Sequence, residues 1–386
     1  MYYIRKWYAI FPGIVSPRSG SFLADHYSWR AARRRAPRKA LDAVVGALFR
    51  AWIPLRARQV ARKHGRDRAW ARKAARIAKR RFADPNDIFL FRIEDEQTLD
   101  GYIRRFEDAA FNKQINPPGW RDDCVLADKV RFAERCAERG VRHPTLFAVR
   151  RRGKRSAQIF SAPAGTPLLL KPSHGEGGEG IAFLSAEMEA MTDKAAFGAA
   201  FDAMELSAKD DWFIQERLLP HEALGDLALN ALPTVRLTTF INEAGRGELV
   251  NSVFRFPSVE GIPIDNMKAG GILSSVELAD GRLTLACKGY GGGDIDRHPV
   301  TGAAIAGRCL PDWDAARALV EDAHVEAFGE YRLIGWDVAL TPDGPVLLEG
   351  NGKPGVLMPQ RSGRRGLGDQ RYGELLAYHL KATRAL

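Results

Sequence analysis

Apolar positions along this 386-residue chain recur with two periods, and the change from one to the other divides it. From residue 26 to 82 the spacing is helical, with Ala, Arg, Lys and Leu dominating and Pro37 and Pro54 read as breaks. Asp84-Pro85-Asn86 opens a further helical stretch in which Tyr102, Ile103 and Phe106 keep helical spacing. Asn116-Pro117-Pro118-Gly119 reads as its end and as a linker. Ala127-Asp128-Lys129 starts a helix that Gly140 stops, and His143-Pro144 leads into a strand.

Strand-like runs then take over. Leu168–Lys171 and Ile181–Leu184 are apolar runs around a glycine loop, residues 185–209 read as one helix, and 211–218 as a strand buried on both faces. PTVRLTTFI (233–241) alternates cleanly, so Val235 and Leu237 share one face and Arg236 and Thr238 the other. A strand over 248–256 carries Arg255 near its end, and 264–278 offers Asp265, Asn266 and Lys268 before a Gly-Gly turn. GWDVALTPDGPVLLEGN (335–351) reads as strand, turn, strand.

Composition changes this picture in one place. Residues 1–82 hold 22 Lys/Arg against 3 Asp/Glu, while the remainder holds 36 against 44, so the formal charge of +11 belongs to the N-terminal segment. Three readings of that segment stay open: a basic amphipathic surface on an anionic membrane with Trp52 near the headgroups, a nucleic-acid contact, or a helical domain packed on the body with its cations in water. Nucleic acid is the least expected, because no stacking aromatics interleave the cations. Four cysteines without a C-x-x-C pair suit a reducing compartment, and no apolar run reaches the roughly 18 residues of a membrane span. A cytoplasmic protein, peripheral to the inner membrane face under the first reading, is the expectation.

Two stretches carry candidate chemistry. The loop after Lys171 contains Gly175-x-Gly177-Gly178-x-Gly180 but runs into a strand, which excludes a dinucleotide fingerprint, and no Gly-Lys-Ser/Thr follows, which excludes a P-loop. As a hairpin flap it could bring backbone N–H groups to phosphate oxygens, with Lys171 adding a point charge; a plain surface hairpin is the alternative. Lys129, in the first turn of its helix, is also placed to meet an anion, and Glu216 is either an adenine and ribose contact or a solvated strand end. In the 335–351 hairpin a three-residue loop, Pro342-Asp343-Gly344, sets Thr341 opposite Pro345 and Asp337 opposite Glu349, with Asn351 on the same face. Two carboxylates and an amide without His or Cys suit Mg²⁺, or Mn²⁺.

Lys129, Lys171 with its flap, Gln215-Glu216, Arg236 and Asp337…Glu349-x-Asn351, taken in order, resemble the ATP-grasp superfamily. PTVRLTTF, DNMKAGGI, RHPVTG, GRCLPDW and GWDVALTPDGPVLLEGN are similar to motifs of its sugar-transfer-associated family, over roughly residues 85–365. The resemblance implies an α+β fold in which two subdomains clamp ATP. Here these would be a lid subdomain over 126–214 and a catalytic subdomain over 215–386, preceded by a helical segment (83–125) and the basic helical extension (1–82). It implies that Lys129, Lys171, Gly175, Gly177, Gly178 and Gly180 hold phosphates and that Gln215 and Glu216 hold adenine, with Glu222 toward the ribose. Asp337, Glu349 and Asn351 would bind Mg²⁺, and Arg236, Arg255 and Lys268 would serve catalysis. Pro233-Thr234-Val235 replaces the family's usual Asn-Thr before the arginine. The implied reaction is activation of a carboxylate as an acyl phosphate for an amine or thiol, on a metabolite of surface-polysaccharide biosynthesis. Phosphorylation of a small molecule and an ATP-binding membrane adaptor are the alternatives. A protein kinase is excluded, since no His-Arg-Asp or Asp-Phe-Gly follows the loop.

Overall fold

The structure, a computed structural model, describes residues 22–154, 156–174, 180–229, 231–261 and 271–384. A helical layer comes first: α1 (Ala24–Ala32), α2 (Ala36–Lys63), α3 (Arg68–Arg81), α4 (Pro85–Leu90), α5 (Glu96–Asp100) and α6 (Arg105–Ile115). Asp67 and Asp84 start α3 and α4 by accepting from the N–H groups of Trp70 and Asn86. Pro37 sits in the first turn of α2, where its missing N–H costs nothing. Pro54, read as a break, lies inside α2, which continues through it to Lys63. Tyr102 and Ile103 are not helical either. They are buried in the link between α5 and α6.

A five-stranded antiparallel sheet follows helix α7 (Lys129–Glu138). Its strands are β1 (Leu146–Arg150), β2 (Gln158–Ile159), β3 (Leu168–Pro172), β4 (Ala182–Phe183) and β5 (Trp212–Glu216), in the order β2-β1-β5-β3-β4. The stretch expected as one helix over 185–209 is two, α8 (Ala186–Glu189) and α9 (Lys194–Asp202), because Asp193 caps the second by accepting from Ala196. Phe197 and Phe201 of α9 pack on Phe147, Leu168, Leu170 and Ile214 of this sheet.

After α10 (Gly225–Ala228) comes the larger antiparallel sheet: β6 (Thr234–Ile241), β7 (Gly247–Phe256), β8 (Ile272–Val276), β9 (Leu283–Lys288), β10 (Asp294–Ile295), β11 (Leu333–Thr341) and β12 (Gly344–Asn351). Its order is β10-β9-β8-β7-β6-β11-β12, with α11 (Trp313–Glu326) inserted before β11 and α12 (Leu357–Gly363) and α13 (Arg371–Ala382) closing the chain. Alternation sorts its side chains. Val235, Leu237, Ile334, Trp336 and Val338 pack toward α11 and α7, whereas Phe240, Val250 and Leu333 pack toward α13 and the N-terminal helices. The basic N-terminal region is therefore docked through Phe49, Ile53 and Ile77 onto the body's second core.

The Asn116–Gly119 segment, read as a linker, is a clamp. Asn116 is fully buried, its Nδ2 donates to Leu333 O at 2.8 Å and Gly352 O at 2.9 Å, and its Oδ1 accepts from Arg332 N at 2.9 Å. Gly119 passes so close to Gly352 that a Cβ would lie 3.1 Å from that carbonyl oxygen. Among the described residues no helix is long and apolar enough to cross a membrane.

Candidate active site

The hairpin β11–β12 sets the site. Its turn is one residue tighter than the sequence suggests: Thr341 pairs with Gly344 rather than Pro345. A bulge at Leu348 restores the lost residue, so Asp337 still pairs with Glu349 and Gly335 with Asn351. Asp337 also pairs with Arg236 on β6, so Arg236, Asp337 and Glu349 form one row across three adjacent strands. Gly335 beside this row leaves room for Pro354, which a Cβ would meet at 2.6 Å.

Asp337 is buried and doubly held. Arg236 grips it with Nε and with Nη2 at 2.9 Å, and Arg255 Nη2 reaches the same carboxylate at 3.0 Å. Burial disfavours its charge, but the two guanidiniums outweigh burial and hold Asp337 far below the usual carboxylate range. Glu349 moves the other way. Burial and then the neighbouring Asp337 charge raise it, and the two side chains share a hydrogen bond. Lys129 and Lys171 partly offset that rise.

Lys171 stands on β3 with its ammonium 5.2 Å from the centre of the Phe213 ring. Burial pushes it down to about 8, with Glu349 opposing and Lys129 reinforcing the shift. Lys129 opens α7, whose N-cap Asp128 also accepts from the Ser173 hydroxyl after β3, tying the helix start to the lysine strand. Gln215 and Glu216 end β5; Glu216 accepts from Thr145 N at 3.2 Å.

All of these groups line one cavity of about 1430 Å³ between the two sheets: Lys129, Lys171, Gln215, Glu216, Arg236, Arg255, Asp337, Glu349 and Asn351. Glu222 is not on its wall and points to solvent from a short turn of helix at 222–224. Gly175, Gly177, Gly178 and Lys268 lie outside the described residues. Gly180 has φ +78°, and a Cβ there would meet Pro172 at 3.1 Å, so glycine is required at the start of the returning strand.

A family sequence pattern, described as sugar-transfer associated ATP-grasp, matches residues 107–372, more than half of the chain. The chain belongs to this family. No curated protein sequence matches it. Among solved structures, D-alanyl-alanine synthetase A from Vibrio cholerae is 11% identical with a TM-score of 0.36, covering 68% of this chain and 66% of its own. A D-alanine–D-alanine ligase from Bacillus anthracis complexed with ATP is 10% identical, covers 68% of each chain and scores 0.37. A RimK domain ATP-grasp protein from Sphaerobacter thermophilus is 15% identical over 67% of each, at 0.31. The chain thus spans about two thirds of the length of these proteins, and the likeness adds nothing beyond the family match.

The donor set fits the group that the family implies. Burial and the Asp337 carboxylate both disfavour a charge on Glu349, which Lys129 and Lys171 only partly offset, and Asn351 contributes a neutral oxygen one row away. A hard divalent cation answers that need. Among the described residues no cluster of three or more His, Cys, Asp or Glu could hold a metal, so such a cation would need Asn351, phosphate oxygens and water to complete its shell. The cavity also has a wall that the motifs did not reveal. Arg105, Asp108, Asn112 and Trp120, from α6 and the turn after it, line it together with Lys353. Asp108 is pushed up to about 7 by burial and by Glu107. In sequence Asp108 lies within the helical stretch opened at Asp84 and nothing singles it out, because what it faces depends on how α6 docks.

Proposed function

We propose that the chain is an ATP- and Mg²⁺-dependent ligase that activates a substrate carboxylate as an acyl phosphate for attack by an amine or thiol, on a metabolite related to surface sugars. The observation that carries this reading is the row Arg236, Asp337, Glu349 sharing one cavity with Lys171 and Lys129. Carboxylates without cations would repel a triphosphate, and cations without carboxylates would hold it without a metal.

In this reading Lys129 and Lys171 neutralise phosphate oxygens, while Gln215 and Glu216 hold the adenine end. A Mg²⁺ ion held by Asp337, Glu349 and Asn351 would withdraw charge from the triphosphate. Arg236 spends Nε and Nη2 on Asp337, which fixes its plane and leaves Nη1 for an oxygen of the transferring phosphoryl group. The substrate carboxylate oxygen attacks the γ-phosphorus in line and ADP leaves. The amine nitrogen then attacks the acyl carbon, loses a proton and expels phosphate. Asp108, on the same cavity wall and titrating near neutrality, suits the task of taking that proton.

Turnover of ATP and Mg²⁺ in the presence of hydroxylamine and candidate acids tests the reading. Hydroxamate formed with ADP supports a ligase. A stable phosphorylated product without hydroxamate would replace it with a phosphotransferase.

A further inference from the structure

Helix α2 has two apolar faces where a surface helix has use for one. Val45, Phe49, Ile53, Ala57 and Val60 are buried against the other N-terminal helices and the body. A second stripe faces outward: Leu41, Val44, Leu48, Trp52 and Leu55 recur every three or four residues and are 47%, 57%, 56%, 37% and 58% exposed. A lone exposed leucine needs no explanation, but five large apolar side chains on one helix face do. At 1.5 Å per residue the stripe is about 21 Å long. Arg50 is the single charge among the exposed side chains between Ala40 and Leu55, and its guanidinium is turned 4.8 Å over the ring of buried Phe82.

The charge around the stripe identifies what it meets. At the same spacing the stripe runs on into Arg58, Gln59 and Arg62, all exposed, and no carboxylate pairs with these arginines among the described residues. Asp42 is the sole acidic residue between Arg35 and Arg66, and it is buried against Arg34 and Arg38. The excess of 22 Lys/Arg over 3 Asp/Glu is confined to the region that presents the stripe, whereas the rest of the chain is net acidic.

We propose that the outward face of α2 docks peripherally on an anionic lipid bilayer, with Leu41, Val44, Leu48 and Leu55 in the acyl boundary, Trp52 at the headgroup level and Arg58 and Arg62 on lipid phosphates. A bilayer offers both things this face needs, apolar depth and a continuous negative surface. Nucleic acid would answer the cations but leave the aliphatic stripe in water, and a stripe with one aromatic is no stacking platform.

The test is flotation of the full chain with vesicles of phosphatidylcholine alone and of phosphatidylcholine containing phosphatidylglycerol. The wild-type chain is expected to float with the anionic vesicles and not with the neutral ones, less so at high salt. Leu48→Glu combined with Trp52→Glu lowers binding at least about tenfold. Arg58→Glu combined with Arg62→Glu lowers it without touching an apolar contact, and thermal melting of both variants separates lost docking from lost fold. Absence of wild-type binding, equal binding to neutral vesicles, or undiminished binding by the folded variants would overturn the proposal. So would binding to RNA in place of vesicles, or a dimer that dissolves on Leu48→Glu while vesicle binding stays the same.

Discussion

Asp337 and Glu349 are paired residues on adjacent strands and yet ionise in opposite directions. Both pay for burial, but Asp337 has two guanidiniums and Glu349 has the Asp337 charge. Replacing the glutamate by its neutral amide removes a carboxylate whose charge burial and Asp337 both disfavour. Glu349→Gln should therefore leave the melting temperature unchanged or raise it, while lowering ATP turnover by at least about a hundredfold. Full turnover in that variant would remove the carboxylate from the mechanism. Lys171 has a pH signature. Its lowered value means that the neutral amine prevails above about 8, whereas a bound phosphate favours the ammonium, so binding takes up a proton in that range. Nucleotide affinity should fall as pH rises through about 8, and Lys171→Arg, which stays charged, should lack that inflection in a calorimetric titration.

At the scale of elements, the hairpin shows how a correct pairing can come from an incorrect turn. The sequence contains Pro342-Asp343-Gly344, but it cannot say whether the loop takes two residues or three, nor that Leu348 bulges to compensate. Packing decides both, because Asp337 must face Arg236 on the buried strand β6. Asn116 teaches the same lesson. Two prolines and a glycine look like a loop signal, yet the asparagine beside them bridges two backbone segments more than 200 residues away. Asn116→Ala should cost about 2–4 kcal/mol in urea unfolding, since it strands buried backbone groups. Pro54 offers the opposite sign. Helix α2 survives it because the Phe49 and Ile53 face is anchored in the core, so Pro54→Ala restores a missing N–H and should stabilise the chain by about 1 kcal/mol or more.

For the molecule as a whole, the cavity lies where two antiparallel sheets face each other, so its walls come from strands of separate sheets. A ligand that touches Lys171 on one sheet and Glu349 on the other bridges them. Nucleotide with Mg²⁺ at a hundred times its dissociation constant should stabilise the fold by about 2.7 kcal/mol, read as a higher melting temperature. An unchanged melting temperature under those conditions would mean that the cavity does not take nucleotide. The helical layer is part of this arrangement, because α6 supplies Arg105, Asp108 and Asn112 to the wall and Asn112 also donates to Gly352 O at 3.0 Å.

The sequence by itself determined the family, the order of the strands that carry Lys171, Gln215, Arg236, Asp337 and Glu349, and the confinement of basic charge to the first 82 residues. The strands and the charge follow from residue type and period, which are local properties, and the family from the motifs that the chain shares with it. The tertiary structure alone decided that Asp337 is gripped by two arginines, that Asp108 and Trp120 join the cavity, that Glu222 does not, and which apolar face of α2 is left in solvent. Each of these depends on which surfaces meet after folding, and a helix with two apolar faces does not state in its sequence which one the core will take.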